Sequence, residues 1–283
     1  AYVAFVDGDD RVRPDFLRTL MDALDETGAE IAECGVVKVY PGEEAQAEEA
    51  AAGAGPTVSQ SAESQAGAGP ATGLADTEPT APGTGESPGT GPSPAYTLCS
   101  TEHALRLLIG DRVLHQHVWN KLYRRDVLDG IPFPEGRTNE DEFWTYRVFA
   151  RAAYVCRVDA PLYEYVQRER SIMGSPFALR RLDGLDARAE RLAFVREHFP
   201  GLAREAKMNL YGSCIYSGQM SLKYLKGSER HKALKKVDAI RKTCVPTASE
   251  IAAEPFSARV WLRLSKVSFF GLCRLKNLLG KGF

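Results

Sequence analysis

The chain has 283 residues, enough for one large domain or two modest ones, and its 44% hydrophobic and 26% charged content is that of a soluble globular protein. A formal net charge of −1 hides a segregation: residues 41–95 hold eight acidic residues and no Lys or Arg, whereas residues 222–283 hold fourteen Lys/Arg against four Asp/Glu. Six scattered cysteines, none paired at two-residue spacing, exclude a zinc-ribbon or disulfide scaffold and point to reduced thiols in the cytoplasm; no apolar run is long enough to span a bilayer.

In chain order, Tyr2-Val-Ala-Phe-Val6 reads as a short buried strand, closed by Asp7-Gly8-Asp9-Asp10. If the chain stays extended, Asp7 and Asp9 point the same way, roughly 7 Å apart, and Asp10 points away. Two such charges repel by about 2 kcal/mol at an effective dielectric near 20, a penalty that Mg²⁺ or Mn²⁺ would remove. The competing reading is a turn that caps the next helix, since Asp favours both roles. That helix is marked by Pro14, by Phe16, Leu17, Leu20, Met21 and Leu24 at helical spacing, and by a terminating Gly28. Residues 31–40 then read as a strand, so that 2–40 form a βαβ unit of a parallel sheet.

Residues 41–95 are Ala, Gly, Pro, Ser, Thr and Glu with almost no large apolar side chain, the composition of a disordered insertion. Order resumes at a helix capped by Ser100-Thr101. An extended or irregular stretch over 118–123 and a turn-rich piece over 130–136 follow. A helix from Asp141 to about Arg151 and two short strands, 154–158 and 162–166, complete this part. From Phe177 onward the pattern is helical, with breaks at Pro200, Gly227 and Pro246.

Four stretches carry chemistry. Asn139-Glu140-Asp141-Glu142 puts three carboxylates at a helix start, where they suit the helix dipole but where one could also act as a general base. Trp119-Asn120-Lys121 mixes an aromatic face, an amide and a cation, which suits sugar and phosphate as well as a half-buried strand. Tyr163-Glu-Tyr-Val-Gln-Arg-Glu-Arg170-Ser171 is an alternating strand followed by cations and a hydroxyl. His115-Gln116-His117 lacks a third ligand at suitable spacing and reads as a solvated or hydrogen-bonded pair.

Together these stretches resemble the bacterial family 2 glycosyltransferases of the GT-A fold. The matching residues are Tyr2 to Asp10 with Pro14-Asp-Phe-Leu17, then Trp119 to Arg125, then Phe133-Pro-Glu-Gly136 with Glu140-Asp-Glu-Phe143. Last comes Tyr163-x-Tyr165 leading to Arg170-Ser-Ile172. Each is weak alone; their order is specific, and the likeness covers residues 1–40 and about 98–200.

The resemblance implies an α/β, largely parallel mixed sheet flanked by helices, and transfer of a sugar from a nucleotide-diphosphate donor to an acceptor hydroxyl with inversion. The acceptor would be a saccharide or lipid-linked molecule in cell-surface polysaccharide or glycolipid synthesis. By position, Asp9 and Asp7 would hold Mg²⁺ or Mn²⁺, with Asp7 also near the donor ribose, and Asp10 would support them. Asp141 would deprotonate the acceptor. Trp119, Asn120, Lys121, Glu140 and Glu142 would line the acceptor or donor-sugar side, and Arg170 and Ser171 would approach the diphosphate.

In the family, base-binding βα units precede the metal motif, so the resemblance implies an incomplete GT-A domain whose nucleotide-binding portion lies N-terminal to Ala1. Its parts would be a partial core (1–40), the insertion (41–95), an acceptor-side half (96–176) and a helical C-terminal region (177–283). The alternative is a truncated non-catalytic remnant or sugar-binding module. The apolar and basic residues of 256–283 suit either an anionic membrane surface at the inner face of the plasma membrane or packing against the domain. No nucleic-acid motif accompanies that charge.

Overall fold

The computed structural model describes residues 1–40, 94–167 and 177–280. Most of the predicted insertion, together with Arg170 and Ser171, therefore lies outside the described residues. Six strands form one mixed sheet: β1 (Tyr2–Ala4), β2 (Arg11–Val12), β3 (Ile31–Val39), β4 (Tyr96–Ser100), β5 (Lys121–Arg124) and β6 (Tyr154–Val166). Their order is β1-β5-β3-β6-β2, and β4 also pairs with β6.

β1 and β3 are each antiparallel to β5 and hence parallel to one another. The expected βαβ unit is therefore present, but β5 stands between its strands. This corrects the picture of β1 as a buried parallel strand: it pairs with β5 at the rim, and Tyr2 stays 40% exposed. The strongest pairing is parallel, between β3 and β6.

β6 merges the two short strands expected from sequence. Pro161 lies within it, where a donor-less residue is tolerated only at an edge or a bulge. The structure supplies a bulge: Gly35 of β3 pairs with Pro161 between two register shifts. A Cβ on Gly35 would lie 3.0 Å from the Ala160 carbonyl oxygen and 3.1 Å from Pro161 Cα, so glycine is what lets the two backbones approach.

Side chains alternate across the sheet and separate two cores. Ala32, Cys34, Leu122, Cys156 and Val158 face α1 (Phe16–Thr27), which buries Phe16, Leu20, Ala23 and Leu24 and ends at Gly28 with φ 68°. Ile31, Tyr123 and Val155 face the larger core under α2 (Thr101–Gly110) and α3 (Glu140–Phe149). The C-terminal region adds α4 (Asp183–His198), α5 (Ala203–Tyr224), α6 (Gly227–Thr243), α7 (Ala248–Ala252), α8 (Phe256–Val267) and α9 (Phe269–Leu278). Breaks fall near Pro200 and Pro246 and just before Gly227, as the sequence predicts, and two further ones, at 253–255 and at Ser268, were not anticipated. All six cysteines are buried free thiols, and no helix of the described residues is long and apolar enough to cross a membrane.

Candidate active site

β1 stops at Ala4, and Asp7 to Asp10 form a turn closed by the Asp10 N–H on the Asp7 carbonyl at 3.1 Å. The extended geometry expected for Asp7 and Asp9 is thus replaced by a turn, clasped from β6. The Asp7 N–H donates to Tyr163 Oη (3.2 Å), and the Tyr163 hydroxyl donates to Asp10 Oδ2 (2.8 Å). The Val166 N–H donates to Asp10 Oδ1 (3.0 Å). Asp10 is consumed in holding the loop. Asp7 and Asp9 stay exposed, and among the described residues neither carboxylate meets a cation. Partial burial raises the Asp7 carboxyl above its usual range, helped by the like charges of Asp10, Asp9 and Glu140.

Tyr163→Phe should loosen this clasp. It removes a hydrogen bond to a charged acceptor and the side-chain acceptor that the Asp7 N–H has among the described residues, so we expect a loss of about 1.5–3 kcal/mol in urea unfolding. An unchanged midpoint would show that the turn holds without it.

α3 opens on Asn139 in the left-handed region (φ 60°), and the loop before it is tied to α4 by the Thr138 N–H on Asp183 Oδ2 at 3.1 Å. Asp141 Oδ1 accepts the Glu142 N–H at 2.8 Å. Burial, then the charges of Glu142 and Glu140, push the Asp141 carboxyl up to about 6; the Glu142 N–H and Lys121 act the other way. What joins the acidic turn to α3 is an aromatic knot. The Phe5 ring meets Tyr123 (5.9 Å), Phe133 (5.7 Å) and Trp144 (5.7 Å) edge-on, and Trp144 Nε1 donates to the Ile131 carbonyl at 2.7 Å.

Three residues expected along the sugar side lie beneath it. Lys121 is fully buried, paired with Glu33 at 3.1 Å, and its ammonium also donates to the His117 carbonyl and to Asn120 Oδ1. Asn120, equally buried, donates to the Cys34 carbonyl at 2.7 Å and to Glu33 Oε1 at 3.3 Å. Glu142 is buried between Arg188 (2.5 Å) and Arg191 (3.2 Å) of α4. Their polar atoms are engaged inside the protein, so their part in a site is support.

Trp119 is stacked with His117 at 3.8 Å, Tyr163 at 4.2 Å and Tyr165 at 5.6 Å. His115 continues this column at 5.0 Å from His117, whose burial holds its imidazole well below the usual histidine range. Glu140 is exposed beside the turn.

Among the described residues no group of three or more His, Cys, Asp or Glu side chains is placed to hold a metal ion. An open cleft of about 720 Å³ runs along α3 past Phe143, Arg147 and Arg151, but its walls do not include Asp7, Asp9 or Asp141.

No protein-family model matches the chain, and no curated protein matches it by sequence. Solved structures match it by shape. The crystal structure of Staphylococcus aureus TarS 1–349 in complex with UDP-GlcNAc superposes with a TM-score of 0.59 at 16% identity, covering 99% of this chain and 68% of that one. The structure of TarS 1–349 gives 0.54 at 14% identity, over 99% and 67%. The likeness is one of fold. It agrees with the α/β, GT-A-like architecture that the motif order implies, a mixed sheet flanked by helices, but the sheet is not largely parallel: of its pairings among the described residues only β3–β6 is parallel.

Sequence reasoning missed Tyr163, Phe5 and Glu33 as organisers of this region. Glu33 had a signal: a carboxylate inside the apolar run Ile-Ala-Glu-Cys-Gly-Val-Val needs a buried partner.

Proposed function

We propose that the protein is an inverting nucleotide-sugar glycosyltransferase of the GT-A, family 2 type, acting on a saccharide or lipid-linked acceptor at the cytoplasmic face of the membrane. One observation carries the reading. Two exposed carboxylates that meet no cation among the described residues, Asp7 and Asp9, follow Phe5, whose ring packs on Trp144 of the helix that bears the raised carboxyl of Asp141. The fold on which they meet is shared with TarS, which binds UDP-GlcNAc.

Asp7 and Asp9 would hold Mg²⁺ or Mn²⁺. The fit is chemical: among the described residues no cation balances their charge, and two carboxylates suffice where diphosphate oxygens and water complete the shell. When bound, the ion neutralises charge gathering on the leaving diphosphate. Asp141 takes the acceptor hydroxyl proton as that oxygen attacks the anomeric carbon from the face opposite the departing diphosphate; the C–O bond to the new acceptor forms as the bond to phosphate breaks. Glu140 and Trp119 would border the sugars, and Arg170 and Ser171 would approach the diphosphate.

The test is to supply UDP-GlcNAc and other nucleotide sugars with Mn²⁺, follow nucleoside diphosphate release, and determine the anomeric configuration of the product. We expect release that Asp9→Ala abolishes, and an inverted product. Retention of configuration, or release that survives Asp9→Ala, would overturn the mechanism. Binding without turnover would favour a sugar-binding module.

A further inference from the structure

α8 has two apolar faces. Ala258, Leu262 and Ser265 are buried against the protein, and about half a turn of helix away Phe256, Val260, Leu264 and Val267 form a stripe that faces solvent. Their exposures are 74%, 39%, 41% and 86%, high for side chains of this size that recur at four-, four- and three-residue spacing. The stripe is about 17 Å long. Arg259, Arg263 and Lys266 run along one flank of it. The next helix repeats the pattern: α9 buries Phe269, Leu272 and Cys273 and leaves Leu275, Leu278 and Leu279 exposed, at 39%, 85% and 51%, beside Arg274.

Residues 256–283 contain six Lys/Arg and no Asp or Glu, and among the described residues no carboxylate pairs with Arg259, Arg263 or Arg274. An apolar stripe with cations along its flank and, among the described residues, no carboxylate paired with those arginines is the composition of a helix lying in an anionic lipid interface.

We propose that α8 and α9 dock the protein on an anionic membrane, with Phe256, Val260, Leu264 and Val267 entering the headgroup boundary and Arg259, Arg263 and Lys266 contacting lipid phosphate. The helix is already folded and its inner face already packed, so binding costs little ordering entropy. The inference does not depend on the transferase reading.

The probe is co-sedimentation with vesicles of phosphatidylcholine alone or with about one third phosphatidylglycerol, in low and high salt. We expect at least about tenfold tighter binding to the anionic vesicles, weakened by salt. Phe256→Ser/Val267→Ser, at exposed positions that leave the fold intact, should cut binding to both vesicle types, while Arg259→Gln/Arg263→Gln/Lys266→Gln should remove only the preference for anionic lipid. Failure of the unsubstituted protein to bind anionic vesicles would overturn the proposal, as would binding that both variants retain. Reversible self-association abolished by Phe256→Ser/Val267→Ser, without vesicle binding, would assign the stripe to a second copy instead.

Discussion

Asp141→Asn is expected to slow sugar transfer by orders of magnitude while making the protein more stable at neutral pH. The two effects share one cause. Asp141 sits where burial and the neighbouring Glu142 and Glu140 disfavour its ionised form, raising it from 3.8 to about 6. A folded-state value above the unfolded one means that the native state binds the proton more tightly. Stability from this group is therefore full below about pH 4 and is lost as pH rises through about 6. A shift of that size corresponds to about 3 kcal/mol at most, and partial solvent access brings the expected gain for Asn nearer 1–2 kcal/mol. Asn carries no charge to desolvate and keeps an oxygen for the Glu142 N–H.

Urea unfolding of both proteins at pH 4.5 and 7.5 checks this: the advantage of the variant should be larger at 7.5. Transfer should fall by about 10²–10⁴-fold. In the unsubstituted protein, kcat/KM should climb with pH and level off above about 6, an inflection that the variant's residual rate lacks. A stabilised variant with full activity would leave Asp141 strained without employment as a base.

Much of this arrangement was legible in the sequence, and the losses have identifiable causes. α1 and α3 were readable because capping residues, apolar spacing and Gly28 all agreed on their positions. The interior of the sheet was less so. Pro161 argued for two strands, and only the Gly35 bulge, a non-local pairing, makes it one. β4 follows a stretch of low complexity and has three of its five residues exposed, Thr97 and Leu98 in succession, so periodicity gives it little contrast. The turn at Asp7 to Asp10 was readable as acidic, but its shape is fixed by Tyr163, some 150 positions later, and a short-range rule cannot anticipate that bond. Likewise, Asn120 and Lys121 have the chemistry of sugar-binding residues, and local sequence does not tell that a partner for Lys121 waits in β3. Residue types gave the inventory of the site; long-range contacts decided which side chains reach its surface.

The Glu33–Lys121 pair makes that distinction measurable. Both side chains are fully buried, and burial lowers the Lys121 ammonium from its usual value while the adjacent Glu33 carboxylate supports it. Lys121→Met strands a carboxylate whose remaining donors are the His115 N–H and the Asn120 amide; Glu33→Gln strands an ammonium among neutral acceptors. Each change alone should cost about 3–5 kcal/mol, because an uncompensated charge is left in the interior. The double variant Glu33→Gln/Lys121→Met keeps an acceptor for the His115 N–H and buries no charge, so it should recover most of that loss. The coupling measured by the cycle should then exceed about 2 kcal/mol.

The same cycle reads the link to the site. Lys121 is the cation that draws the Asp141 carboxyl down against burial and its acidic neighbours. Removing it should carry the inflection in kcat/KM above about 6, whereas a lysine that merely filled space would leave the pH profile where it was. Additive single-variant losses, with the inflection unmoved, would show that the pair neither stabilises the sheet as a unit nor tunes the base above it.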